Sequence, residues 1–210
     1  MAAIDHLIFS ATDLQTGVDL IADLTGVTAA PGGPHPGLGT HNALLSFDDE
    51  TYFEVIAIDP AQPEPARPRP FGLDDGGEPR LAGFAIHPTD GDPIDAIAER
   101  MRDHGHDPGE IISMSRQHPD GHLIEWQLTA GAGARSTFVP FIIDWGSTPT
   151  PALSTPRMGE LVSLELTHPD PGVRAVAAAL DVGLVVAEGP PLLSARLATA
   201  TGEVAIDSNP

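Results

Sequence analysis

Cysteine and lysine are both absent from the 210 residues. Without thiols there is no disulfide framework, no thiolate zinc site and no cysteine nucleophile, and a cytoplasmic protein is expected. Long apolar runs are missing too, since none approaches the roughly 18 residues of a membrane-spanning helix. The start, Met1-Ala2-Ala3-Ile4-Asp5-His6, has no basic stretch ahead of an apolar one, so a secretory leader is not expected. Positive charge is in short supply: ten arginines face 30 acidic residues, a net charge of -20. Such a surface repels phosphate backbones and anionic lipid, so neither nucleic acid nor a membrane is expected as a partner. A cationic ligand or divalent metal would suit it, but solubility is the simpler reason for the acid excess. Phosphate-binding Walker loops, nucleophile elbows and zinc-protease motifs are also missing. The chain does have 41% hydrophobic residues, enough at this length for a substantial core and too many for a disordered chain.

The chain repeats itself. Residues 4–13, 81–90 and 161–170 are each an apolar run closing on a polar cap that ends in Asp13, Asp90 or Asp170. Amphipathic stretches follow at 14–24, 93–102 and 173–180, leading to Gly26, Gly105 and Gly183. This pattern predicts a buried strand, then a helix entered past an Asp and left at a residue free to take positive φ. Paired β-rich runs come next, at 40–48 and 51–59, at 110–117 and 122–129, and at 192–200 and 203–207. Their short connections predict hairpins, the middle one turning at Pro119-Asp120-Gly121. The predicted unit is βαβββ, giving an α+β protein with a first unit at 1–60, a second at 81–148 and a shorter third at 157–210. Residues 61–80 carry Pro63, Pro65, Pro68 and Pro70 and read as a stiff linker. The apolar run 138–145 is expected to close the second sheet.

Several phrases resemble the glyoxalase-like domain family of the vicinal oxygen chelate superfamily. They are Asp5-His6, the segment from Pro34-His35-Pro36-Gly37 to His41-Asn42-Ala43-Leu44-Leu45, Tyr52-Phe53-Glu54-Val55-Ile56 with Asp59-Pro60, Pro140 to Gly146, and His168-Pro169-Asp170-Pro171. The resemblance implies tandem βαβββ units whose sheets curl round a cavity holding a divalent metal, Zn, Ni, Mn or Fe(II). It implies ligands on the first and last strands of each unit, commonly His and then Glu. The metal would chelate vicinal oxygens of a small molecule, stabilising an enediolate or activating dioxygen, with a carboxylate moving the proton.

Carried over residue by residue, the pattern places His6 and Glu54 as ligands in the first unit. In the second, the first-strand position is Gly83, and counting from Asp120 as Glu54 is counted from Asp49 gives Glu125 on the last. The metal candidates are therefore His6, Glu54 and Glu125, with Glu54 and Glu125 also the candidates for proton transfer. His41 would complete the set if it shares Glu54's face. A hairpin turn of two or four residues puts His41 there and a turn of three puts Asn42 there, and the sequence admits both. Asn42, Tyr52, Arg116 and Trp126 are the candidates for substrate contact.

Each candidate also has an ordinary structural reading. His6 alone would be a half-buried histidine bonded to backbone, and Arg116 one end of a surface ion pair. Glu54 resists such a reading because its apolar neighbours would bury it, and a buried carboxylate is costly unless paired. His35 with Gly32, Gly33, Gly37 and Gly39 reads as turn chemistry at a pocket mouth, His104 and His106 as the end of a helix, and His87 and His168 as structural. The expected function is metal-dependent lyase, isomerase or dioxygenase chemistry on a small oxygenated molecule. The rival is a metal-free protein of the bleomycin-resistance type that sequesters a small compound. A third outcome has the last unit plugging the cavity or mediating dimerisation, and the odd number of units makes a homodimer the expectation.

Overall fold

A computed structural model describes residues 1–89, 91–117, 123–130 and 136–209, with the side chains of Arg116 and Gln117 outside that description. The turn expected at 119–121, with His118 and His122 beside it, lies outside the described residues, as does Asp90.

The first unit runs β1 (Ala2–Ser10), α1 (Leu14–Thr25), β2 (Ala30–His35), β3 (Thr40–Ser46) and β4 (Tyr52–Ile58). The second runs β5 (Arg80–Pro88), α2 (Ile94–Asp103), β6 (Ile111–Gln117), β7 (Leu123–Thr129) and β8 (Phe141–Asp144). The third runs β9 (Glu160–Thr167), α3 (Pro171–Leu180), β10 (Val185–Ala187), β11 (Leu192–Thr199) and β12 (Gly202–Asp207). The capping residues act as their chemistry predicts. The Asp13 carboxylate accepts the Thr16 N–H at 2.9 Å and opens α1, and Gly26 closes it at φ 78°. Asp170 caps α3 with Pro171 in its first turn, but this helix stops at Asp181 in the left-handed conformation, two residues before Gly183.

The first two units form one eight-stranded sheet in the order β2-β3-β4-β1-β5-β8-β7-β6, joined through the antiparallel β1–β5 pair. In each of them the first strand lies parallel to the last, β1 with β4 and β5 with β8. The third unit forms a separate four-stranded sheet, β10-β9-β11-β12, in which β9 is parallel to β10 and the last strand reaches only β11. Its inner face, with Leu164, Leu166, Leu193 and Leu197, shares one apolar core with Val18 and Ile21 of α1 and Ile94, Ile97 and Met101 of α2. A fully buried side chain of this kind contributes roughly 2 kcal/mol. The third unit therefore packs on the helix-bearing face of the large sheet, where β11 and β12 also meet β5, rather than plugging the other face, and finds its partner surface within the chain. No helix among the described residues is long and apolar enough to cross a membrane.

Side-chain alternation divides the large sheet. Leu7, Phe9, Ala43, Leu45, Phe53, Val55 and Ile142 face the shared core. The alternate residues His6, Asn42, Leu44, Tyr52, Glu54, Phe141 and Ile143 line a cavity of about 420 Å³ on the opposite face.

Candidate active site

Glu54 sits on the cavity floor and is 7% exposed. The β3–β4 register pairs Leu44 with Glu54 and Ser46 with Tyr52, and the Phe47 N–H bonds the Thr51 carbonyl at 2.9 Å, leaving 48–50 as a three-residue turn. Asn42, not His41, therefore shares Glu54's face, and its Nδ2 donates to Glu54 Oε1 at 2.6 Å. The Gly33 N–H donates to Asn42 Oδ1 at 3.0 Å, which fixes which end of the amide meets the carboxylate. Gly32 makes this possible: a Cβ there would lie 2.0 Å from Asn42 Oδ1. His41 points with Ala43 and Leu45 to the other side of the sheet, so the structure does not bring it to Glu54.

Two imidazoles flank the carboxylate. His6 Nε2 is 3.6 Å from Glu54 Oε2, and His35 Nε2 is 3.7 Å from Oε1. Both separations exceed a hydrogen-bond distance. His35, which the sequence placed in a turn at the pocket mouth, lies at the end of β2 with Nδ1 at 2.9 Å from Thr40 Oγ1. His6 is clamped by rings: it stacks on Tyr52 with centroids 4.4 Å apart and meets Phe141 edge-on at 5.6 Å.

Behind His6 lies Asp5, for which the sequence pattern predicts no role. A register shift between Ile4 and His6 in the β1–β5 pairing makes Asp5 a bulge residue. Its carboxylate meets His6 Nδ1 at 2.7 Å, His87 Nδ1 at 3.1 Å and the Trp145 indole N–H at 3.1 Å. Burial alone would raise the Asp5 carboxyl, but hydrogen bonds from His6 and His87, with the electrostatic pull of both rings, hold it below its ordinary value. The same bond to Asp5 raises His87 above the ordinary histidine value, against the effect of burial. Because Asp5 is acceptor-only, His6 carries a proton on Nδ1 and directs Nε2 at Glu54.

Among the described residues the second unit supplies no counterpart to this cluster. Trp126 and Leu128 of β7, Met114 of β6, and Phe141 and Ile143 of β8 make an apolar wall, with Trp126 and Trp145 in contact at 5.6 Å between ring centroids. Glu125 is exposed, on the side of β7 opposite Trp126, and the structure does not bring it to the cavity. In the second unit β8, not β7, takes the place of β4, and its cavity residues are apolar. Arg116 lies on β6 with its side chain outside the described residues. Tyr52, Asn42 and Trp126 do line the cavity.

The donors fit a metal ion poorly. His6 and Glu54 stand where the superfamily pattern asks, with His35 a third donor beside them, but Asn42 already occupies Glu54 Oε1, and among the described residues Gly83 and the apolar residues of β8 offer nothing from the second unit. Among the described residues no three His, Asp or Glu side chains form a group able to hold a metal ion.

The sequence profile of the glyoxalase-like domain matches residues 4–182. No curated protein sequence matches the chain. Among solved structures, a hypothetical protein from Staphylococcus aureus is similar at 15% identity over 99% of this chain and 85% of that one, with a TM-score of 0.57. A methylmalonyl-CoA epimerase from Streptomyces coelicolor is similar at 17% identity over 71% and 98%, with a TM-score of 0.46. The Mycobacterium tuberculosis epimerase is similar at 16% identity over 67% and 85%, with a TM-score of 0.41.

Proposed function

The chain belongs to the glyoxalase-like domain family of the vicinal oxygen chelate superfamily, and from that membership we propose that its cavity takes a small oxygen-bearing metabolite and moves a proton on it. The observation that carries this reading is the Glu54 carboxylate, set between two imidazoles on the floor of an otherwise mostly apolar cavity. A carboxylate so placed is within reach of a bound molecule and can take the proton beside a carbonyl group. In this reading Glu54 accepts that proton. His6, held by Asp5 through its Nδ1 proton, turns Nε2 to the same space as an acceptor, and Asn42 keeps the carboxylate in place. The chemistry is that of an isomerase or lyase, run by the chain's own side chains.

The test is hydrogen exchange. Small carbonyl compounds incubated with the protein in heavy water lose the NMR signal of the proton next to the carbonyl if Glu54 removes it. A positioned base contributes about 100-fold or more, so Glu54→Gln lowers exchange by at least that factor. Compounds that bind but never exchange favour the second reading, a sequestering protein, which the aromatic wall around Trp126 and Trp145 supports.

A further inference from the structure

One side chain at the cavity mouth has no use in the proton chemistry. Arg67 is exposed and yet lines the cavity, on the proline-rich segment between β4 and β5. This segment is tied down rather than loose. The neighbouring Arg69 is buried, donates through Nε to the Gly39 carbonyl at 3.1 Å, and binds Glu64 and Asp74 through its two terminal nitrogens at 2.8 and 2.6 Å. The backbone N–H of Arg69 adds a bond to Asp74 at 2.7 Å. The bracket holds Ala66, Arg67 and Pro68 over the opening.

Arg67 itself makes no hydrogen bond or ion pair among the described residues. In a chain with three acidic residues for every basic one, most arginines have a carboxylate partner. Among the described side chains Arg69, Arg100, Arg102, Arg157, Arg174 and Arg196 have one, and Arg80, which has none, still bonds the Glu78 and Phe71 carbonyls; Arg67 has neither. A guanidinium so placed matches the planar geometry of a carboxylate or the oxygens of a phosphate.

We infer that Arg67 is an anion-recognition residue, and that the cavity's ligand carries an anionic group at the mouth and an apolar body inside. This rests on the cavity-binding reading above and adds the ligand's charge and its direction of entry. Glu54 reinforces the direction, since a ligand anion is repelled from the floor and drawn to the rim.

The experiment compares cinnamate, an aromatic carboxylate small enough for the cavity, with its neutral amide, by calorimetric titration of the full chain at about 0.15 M salt, where distant surface charge is screened. Native protein should bind cinnamate roughly tenfold more tightly than cinnamamide, the scale of one charge-assisted contact. Arg67→Gln should erase that preference with amide binding unchanged, and Arg67→Lys should retain part of it. Equal affinity of native protein for both probes, or a preference that survives Arg67→Gln, overturns the role of Arg67 and leaves the cavity reading standing. Binding of neither probe overturns both.

Discussion

Asp5 and His6 are consecutive residues of one strand, and their side chains hydrogen-bond at 2.7 Å. In a regular strand they would point to opposite faces. The bulge between Ile4 and His6 changes the phase of β1. Ile4 packs against the shared core on one side of it and Leu7 on the other, although their positions differ by three, which in a regular strand would set them on opposite faces. The orientation of His6 depends on that irregularity.

Asp5→Asn should therefore cost more than an ordinary polar substitution. Removing one partner from a buried charged network typically costs about 3 kcal/mol. The expected result is that loss in a denaturant melt, with a changed nitrogen chemical shift at His6 Nδ1. An unchanged shift would mean that Asp5 does not set the tautomer.

The link between Asp5 and His87 gives stability a pH signature. His87 is raised above 6.5, so its contribution is fully present below that value and is lost as pH rises through the raised one. Asp5 is lowered below 3.8, so its contribution is present above that value and lost as pH falls through the depressed one. Tm should fall as pH rises above about 6.5. His87→Gln, which can still donate but does not titrate in that range, should flatten this decline, and an equally steep decline in the variant would assign it elsewhere.

Gly32→Ala should disturb Glu54 without touching it. The added methyl meets Asn42 Oδ1 and forces the amide away from the carboxylate. A loss of about 1 to 3 kcal/mol is expected from such overpacking, together with weaker cinnamate binding. Native stability and binding in the variant would show that Asn42 has room to move.

Glu125→Ala tests the strand assignment. An exposed side chain on the outer face should change stability by less than about 0.5 kcal/mol and leave hydrogen exchange intact, whereas Glu54→Gln should abolish it. Equal losses from both variants would return Glu125 to the site.

Metal addition should do little. A ligand at one hundred times its Kd stabilises the folded state by about 2.7 kcal/mol, so a real site for Zn, Ni, Mn or Fe(II) would raise Tm by several degrees. No such rise is expected. One that disappears in His6→Ala would establish a site the donor geometry does not favour.

Much of the fold was legible because its signals are local. Asp13 and Asp170 cap helices, and Gly26 closes one, by chemistry written in a few consecutive residues. His6 and Glu54 were found through the family resemblance, and both face the cavity. What escaped depends on pairing across the sheet. Nothing in Ile4-Asp5-His6 announces a bulge, so Asp5 went unread. The choice between His41 and Asn42 hung on whether the turn holds two, three or four residues, and only the hydrogen bond from Phe47 to Thr51 decides it. The long connection between β7 and β8 hid the true last strand of the second unit, so an acid on β7 was taken for the counterpart of Glu54. His35 looked like a turn residue because the glycines and prolines around it mask a strand.

The division of labour across the β1–β5 seam has an evolutionary consequence. Among the described residues every ionisable side chain on the cavity floor belongs to one repeat, while the opposing repeat contributes chiefly hydrocarbon and rings. Mutational drift in Trp126, Leu128, Met114 or Ile143 would reshape which molecule fits without disturbing the machinery that acts on it. A duplicated half freed from chemical duty becomes a mould that selection can recast one side chain at a time.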